Sequence, residues 1–281
     1  WLALWLHRLG AEVPGFALPP ETPRSHFELL KLGKLINHVE GDLRKPLSIE
    51  KCISDIKPTY VFHLAAQSLV RQSYENPKAT FDINVTGGVN LLEALRKSES
   101  VRALVYITSD KAYLNQEWVW GYRENDRLGG HDPYSASKAA AELVFSSYSA
   151  SFFSDLNEFG AATARAGNVI GGGDWSMDRI IPDCIRALEK NDPIIIRNPN
   201  ATRPWQHVLD PLHGYLKLAQ ALSNKPKEFQ GAWNFGPELG SAPTVEEVTK
   251  RVITYWGSGR YKVEKNFGPF EHQLLQLSID K

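Results

Sequence analysis

Short apolar runs that alternate with longer amphipathic ones limit this fold more than any other feature. Residues 60–64 (YVFHL), 101–108 (VRALVYIT) and 161–166 read as buried strands. Between them, residues 81–96 place Val85, Val89, Leu92 and Leu95 on one helical face. Residues 134–153 follow Pro133, which suits the first turn of a helix. Residues 2–9 and 47–56 predict two more helices, and residues 12–18 predict a strand weakened by Pro14. This alternation predicts an α/β fold: a doubly wound, parallel, Rossmann-type sheet covered on both faces. Such sheets bind ligands beyond the carboxyl ends of their strands.

The pattern changes after Asn168, where Gly171 to Gly173 and Pro182, Pro193, Pro199 and Pro204 punctuate shorter elements. A dinucleotide-binding domain is therefore expected over residues 1–167. A smaller domain is expected over residues 168–281, with some segments returning to the first.

Charge directs the search toward a few placed side chains. The 32 basic and 32 acidic residues cancel, so charge alone drives no binding to nucleic acid or to an anionic membrane. No run approaches the roughly 20 apolar residues that span a bilayer. The apolar start lacks a basic leader and is interrupted by His7 and Arg8, unlike a secretory signal. Cys52 and Cys184 have no metal-ligand spacing, so no metal and a reducing, cytoplasmic setting are expected.

Tyr134 and Lys138 carry the strongest chemical signal. Spacing of four puts both on one helical face. A phenol is a poor base at neutral pH, but a cation beside it favours the phenolate. Many ordinary surface helices contain such a pair, so position matters. The strand at 101–108 runs into Ser109-Asp110-Lys111, which places a hydroxyl, a carboxyl and an ammonium at the carboxyl edge of the sheet. Asp42, the small stretch Leu64-Ala65-Ala66, and Asn84 fall on the same edge and are candidates for holding a dinucleotide. His63 reads as a packed core histidine.

In the order HLAAQSLVRQSYENP, NVTGGVNLLEA, TSDKAY, DPYSASK, RAGNVIGGGDW and RPWQHV, the chain resembles the extended short-chain dehydrogenase/reductases that process nucleotide sugars. The stretches EWVWGYRENDRLGGHDPYSASK and NPNATRPWQHV, with Ser109-Asp110-Lys111 where other sugar-nucleotide dehydratases usually carry Thr-Asp-Glu, resemble the branch that dehydrates CDP-glucose.

The resemblance implies an NAD-dependent hydro-lyase. Tyr134 would take the proton of the carbon 4 hydroxyl, and Ser109 would hold that hydroxyl. Asp110 would protonate the hydroxyl leaving carbon 6. Lys111 would take the carbon 5 proton or stabilise the enolate. Lys138 would also hold the nicotinamide ribose. For the substrate, the family implies Asn168 at the sugar or pyrophosphate and Arg203 on the diphosphate. Arg179 and Arg197 are plausible helpers at that diphosphate, and Trp175 reads equally as a base-stacking or a packed residue.

A glycine-rich phosphate loop is expected just upstream of Trp1, so the chain reads as truncated at both ends. The choice of NAD over NADP rests on the family, with Glu21 the nearest carboxylate for the adenosine ribose. Relatives usually form homodimers through two long helices, here 80–96 and 134–153. The rival readings are a nucleotide-sugar 4-epimerase, a dehydratase of another NDP-hexose, and a non-catalytic dinucleotide-binding regulator.

Overall fold

Alternate residues of the strand at Ala103–Ile107 enter two different cores. Leu104 and Tyr106 pack with Leu91, Leu92, Ala141 and Phe145. Ala103 and Val105 pack with Leu212, Leu218 and Leu222. A strand buried on both faces reads as a continuous apolar run, which is why ALVYI carries no polar residue.

The computed structural model describes residues 1–20, 24–238, 240, 242–264 and 272–281. In chain order its strands are β1 (Pro14–Ala17), β2 (Asn37–Glu40), β3 (Tyr60–His63), β4 (Ala103–Ile107), β5 (Gly160–Ala166), β6 (Val169–Ile170), β7 (Ile194–Ile196), β8 (Gln206–His207), β9 (Gly231–Phe235) and β10 (Tyr261–Val263). The principal helices are α1 (Leu2–Arg8), α2 (Pro46–Ile56), α3 (Gly87–Arg96), α4 (Pro133–Tyr148), α5 (Ile180–Glu189), α6 (Leu209–Asn224) and α7 (Val245–Trp256).

The central sheet has the order β3-β4-β5-β9, and every pairing is parallel. β1 and β2 form a parallel pair of their own. Helices α2, α3 and α4 contribute to the core on one face of the sheet. Helices α1 and α6 contribute to the core on the other. In the second part of the chain, β7 pairs with β10, and α5 and α7 share a small core around Cys184, Leu188, Ile194 and Ile196.

Three elements depart from the sequence reading. The helix expected over 81–96 is interrupted: Pro77–Phe81 is α-helical, Asp82–Thr86 forms a π-helical turn, and α3 follows. The wider turn suits Asn84, whose side chain reaches two neighbouring segments. The helix expected over 134–153 likewise gives way to a π turn at Ser149–Phe153. The strand-like end of the chain makes only a bridge, Leu277 to Tyr122.

Local chemistry sets α4 in place. Asp132 caps it by accepting the Ser135 N–H at 2.9 Å, and Pro133 occupies its first turn. Gly130 lies hard against that turn. A Cβ there would come within 2.4 Å of the Ser135 Cβ and 2.6 Å of the Ala136 nitrogen.

Candidate active site

β4 delivers Ser109, Asp110 and Lys111 to the carboxyl edge of the sheet in a single 3-10 turn, Asp110–Ala112. The Ser109 hydroxyl caps this turn. It accepts the Lys111 N–H at 3.2 Å and donates to Asp110 Oδ1 at 2.9 Å. Asp110 is only 4 % exposed. Burial raises its carboxyl above the ordinary range, against the opposing pull of Lys111, Ser109 and Arg203. Its second oxygen, Oδ2, is buried and has no hydrogen-bond partner among the described residues.

Helix α4 sets Tyr134 beside that turn. The Tyr134 N–H donates to Ser73 Oγ at 3.1 Å, and Ser137 Oγ donates to the Tyr134 carbonyl at 2.7 Å. Burial pushes the phenol up to about 12, while a hydrogen bond with Ser109 and the charge of Arg179 pull it back. The charge of Arg179 thus acts on Tyr134 from the second part of the chain, while Lys138 follows Tyr134 by one turn of α4.

Lys138 is buried, and burial brings its ammonium down to about 8 against the opposing charge of Glu142. Its charge helps hold His63 neutral, down to about 3. His63 is buried against Tyr106, with ring centroids 4.4 Å apart, as a core histidine should be.

The neighbouring edge fits a dinucleotide. Leu64 and Ala65 stand exposed where β3 ends. An apolar side chain left open at a sheet's carboxyl edge suits the flat face of a cofactor ring, and alanines let a ligand approach the backbone. Lys138 lies buried one turn beyond Tyr134 on α4. Asn84 is placed differently from a simple ligand: its amide is taken up by Gln67 and Ser137. The Asp42 carboxylate is held by Arg44 through a 2.6 Å ion pair. Glu21 lies outside the described residues.

On the substrate side, Arg203 is buried beside Asp110 and donates to the carbonyls of Thr202 and His272, both at 2.7 Å. It lines a small cavity with Lys111, Tyr113, Asn115, Ser135 and His272. Arg179 reaches Ser68 Oγ at 3.1 Å, and Arg197 pairs with Asp178 at 3.3 Å. Asp178 also holds Arg71. Trp175 lies under the guanidinium of Arg24, 3.7 Å from its ring centroid. The Asn168 carbonyl accepts the Gln206 N–H, which joins β6 to β8.

Sequence reading passed over several of these residues. Ser68 and Arg71 lie inside HLAAQSLVRQSYENP, and Tyr113 inside TSDKAY, so their motifs were the signal. Glu142 and Arg165 gave none, because their pairing depends on the sheet.

The sequence profile of the NAD dependent epimerase/dehydratase family matches residues 5–236. CDP-glucose 4,6-dehydratase of Salmonella typhimurium is 48 % identical over 286 aligned residues, which cover 100 % of this chain and 80 % of that protein. CDP-paratose 2-epimerase of Salmonella typhi is 28 % identical, over 77 % of this chain and 69 % of its own length. Among solved structures, UDP-glucose 4-epimerase of Thermus thermophilus in complex with NAD superposes with a TM-score of 0.81 at 24 % identity, covering 99 % of this chain and 86 % of that one. The dTDP-glucose 4,6-dehydratase of Bacillus anthracis in complex with NAD gives 0.79 at 18 % identity, covering 99 % and 83 %.

Proposed function

The chain belongs to the NAD dependent epimerase/dehydratase family, and we propose that it dehydrates CDP-glucose to CDP-4-keto-6-deoxyglucose. The buried Asp110 carboxyl carries this reading. It sits next to Tyr134 with one oxygen unpartnered among the described residues, and burial raises it above the ordinary carboxylate range, which favours the acid form. An epimerase needs a base at carbon 4 but no acid for an elimination. The choice of CDP-glucose follows the 48 % identical relative.

Bound NAD+ supplies a hydride acceptor for carbon 4 and, once reduced, a hydride donor for carbon 6. Tyr134 takes the proton of the carbon 4 hydroxyl, which Ser109 holds in line. The ketone so formed acidifies the proton on carbon 5. Lys111 takes that proton or stabilises the enolate charge. Asp110 gives its proton to the hydroxyl departing from carbon 6. Lys138 would hold the nicotinamide ribose, and Leu64, Ala65 and Ala66 would line the cofactor. The Asn84 amide shapes that edge, and Asp42 stands at the adenine end.

Residues 168–281 supply the nucleotide-sugar site, apart from α6 and β9, which complete the sheet. Arg203 grips the diphosphate, helped by Arg179 and Arg197; Asn168 meets the sugar side. Trp175, already stacked by Arg24, borders the base. Exposed Phe81, Leu143 and Phe152 support a homodimer through the helices at 77–96 and 133–153. Two free, buried thiols suit the reducing cytoplasm, and no helix among the described residues is long and apolar enough to cross a membrane.

The decisive experiment incubates the NAD-loaded enzyme separately with CDP-, UDP- and dTDP-glucose and weighs the products. Loss of water from CDP-glucose alone is expected. Loss from another nucleotide sugar keeps the chemistry and changes the substrate. Unchanged masses with bound NAD would overturn dehydration.

A further inference from the structure

Behind the catalytic turn lies a polar cluster that no step of the reaction uses. Glu142 is 3 % exposed and Arg165 also 3 %. The guanidinium grips the carboxylate with two donors: Nε to Oε1 at 2.9 Å and Nη2 to Oε2 at 2.8 Å. Two threonine hydroxyls complete the set, Thr108 at 2.5 Å and Thr163 at 2.9 Å. Arg165 also donates to the Tyr113 hydroxyl at 2.9 Å, and Tyr113 to Asn234 Oδ1 at 2.7 Å. Each oxygen of this buried carboxylate accepts two hydrogen bonds, which fixes the group in place.

The placement of this cluster gives it a consequence. Glu142 follows Lys138 by one helical turn on α4, the i,i+4 spacing at which opposite charges meet. Thr108 immediately precedes Ser109-Asp110-Lys111. We propose that the Glu142–Arg165 pair is a positioning element that supplies the counter-charge for Lys138 and clamps the Ser109–Lys111 turn to helix α4. The assignment of Lys138 to the reaction rests on the function proposed above; the electrostatic coupling itself does not.

The titratable groups around Lys138 leave this role to Glu142. His63 on β3 stays neutral down to about pH 3. Tyr106 on β4 and Tyr134 on α4 are both raised by burial, Tyr134 against the opposing pull of Ser109 and Arg179. Asp110, at the end of β4, is raised likewise. Arg165 on β5 is held cationic by Glu142. The charge of Glu142 acts on Lys138 against the effect of burial.

Removing one partner strands a buried charge and is strongly destabilising, whereas removing both is far milder. The test therefore uses the NAD-loaded wild type, Glu142→Gln, and the double variant Glu142→Gln/Arg165→Met. Lysine 13Cε NMR follows the Lys138 titration, with its resonance identified by its absence in Lys138→Met. The same proteins are assayed for kcat and KM against pH. In the double variant the Lys138 midpoint falls by about one pH unit, a tenfold change in its proton affinity. The alkaline limb of kcat falls with it, while KM holds. An unmoved Lys138 midpoint in a folded double variant would overturn the proposal, whichever reaction the enzyme performs. A moved midpoint with product masses unchanged from substrate would leave the coupling standing and overturn the function.

Discussion

Asn84 meets Gln67 through both polar groups of one peptide unit's residue: it accepts the Gln67 N–H at 2.8 Å and donates to the Gln67 carbonyl at 3.0 Å. The same amide donates to Ser137 Oγ at 2.8 Å, so the loop after β3 and the catalytic helix share one anchor. Asn84→Leu leaves those buried groups unpaired. Stability is expected to fall by about 2–3 kcal/mol, and NAD to bind more weakly. Urea denaturation and a cofactor titration check both; a variant as stable as the wild type would refute the anchoring role.

Tyr134→Phe removes the phenolic oxygen and leaves the ring that α4 buries. The expected loss in kcat is about 10²- to 10⁴-fold, with the fold and NAD binding retained. Steady-state kinetics alongside circular dichroism will tell. Activity within a few-fold of wild type would remove Tyr134 from the chemistry.

Asp110→Asn keeps the shape of the buried acid but removes its proton. Elimination is expected to stop while exchange of hydrogen at carbon 5 continues. Proton NMR of CDP-glucose in deuterated buffer reads this directly. Dehydration at an undiminished rate would show that another group protonates the leaving hydroxyl.

His63 gives the chain a pH-dependent stability of definite sign. Its folded-state pKa, about 3, lies below the ordinary 6.5. Between those values the unfolded chain takes up a proton that the folded chain refuses. Stability therefore falls as pH drops through that window, by about 1.4 kcal/mol per pH unit for one proton. The raised carboxyl of Asp110 acts in the opposite sense, so the comparison must be with a variant. His63→Phe keeps an aromatic ring against Tyr106 and should lose this component of acid sensitivity. Urea midpoints at pH 7, 6 and 5 suffice; parallel curves would contradict it.

Which parts of the molecule the sequence disclosed follows from the range of the interactions. β4 was legible because burial on both faces excludes polar residues from ALVYI. Helix α4 was legible because Pro133 and the Tyr134–Lys138 spacing act within one or two turns. Ser109, Asp110 and Lys111 could be placed because the end of a parallel strand is a fixed location. The π turn at Asp82–Thr86 was hidden, since the partner that Asn84 meets there, Ser137, lies 53 positions away. The influence of Arg179 on Tyr134 was hidden for the same reason, since Arg179 arrives from the second part of the chain. Glu142 and Arg165 were invisible because a charged residue in an apolar helix or strand looks like a surface position until its partner is known.

The π turn also has a bearing on how this gene can change. A turn of this kind holds one residue more than an α turn, and each residue of helix advances the side chains by roughly 100°. Because the extra residue is taken up locally, deleting a single codon between 82 and 86 would return the stretch to an α turn and keep Leu91, Leu92 and Leu95 on the face they share with Leu104 and Phe145, while withdrawing the reach that brings Asn84 to Gln67 and Ser137. Length can drift here without unseating the core; the residue at position 84 cannot drift without loosening the anchor.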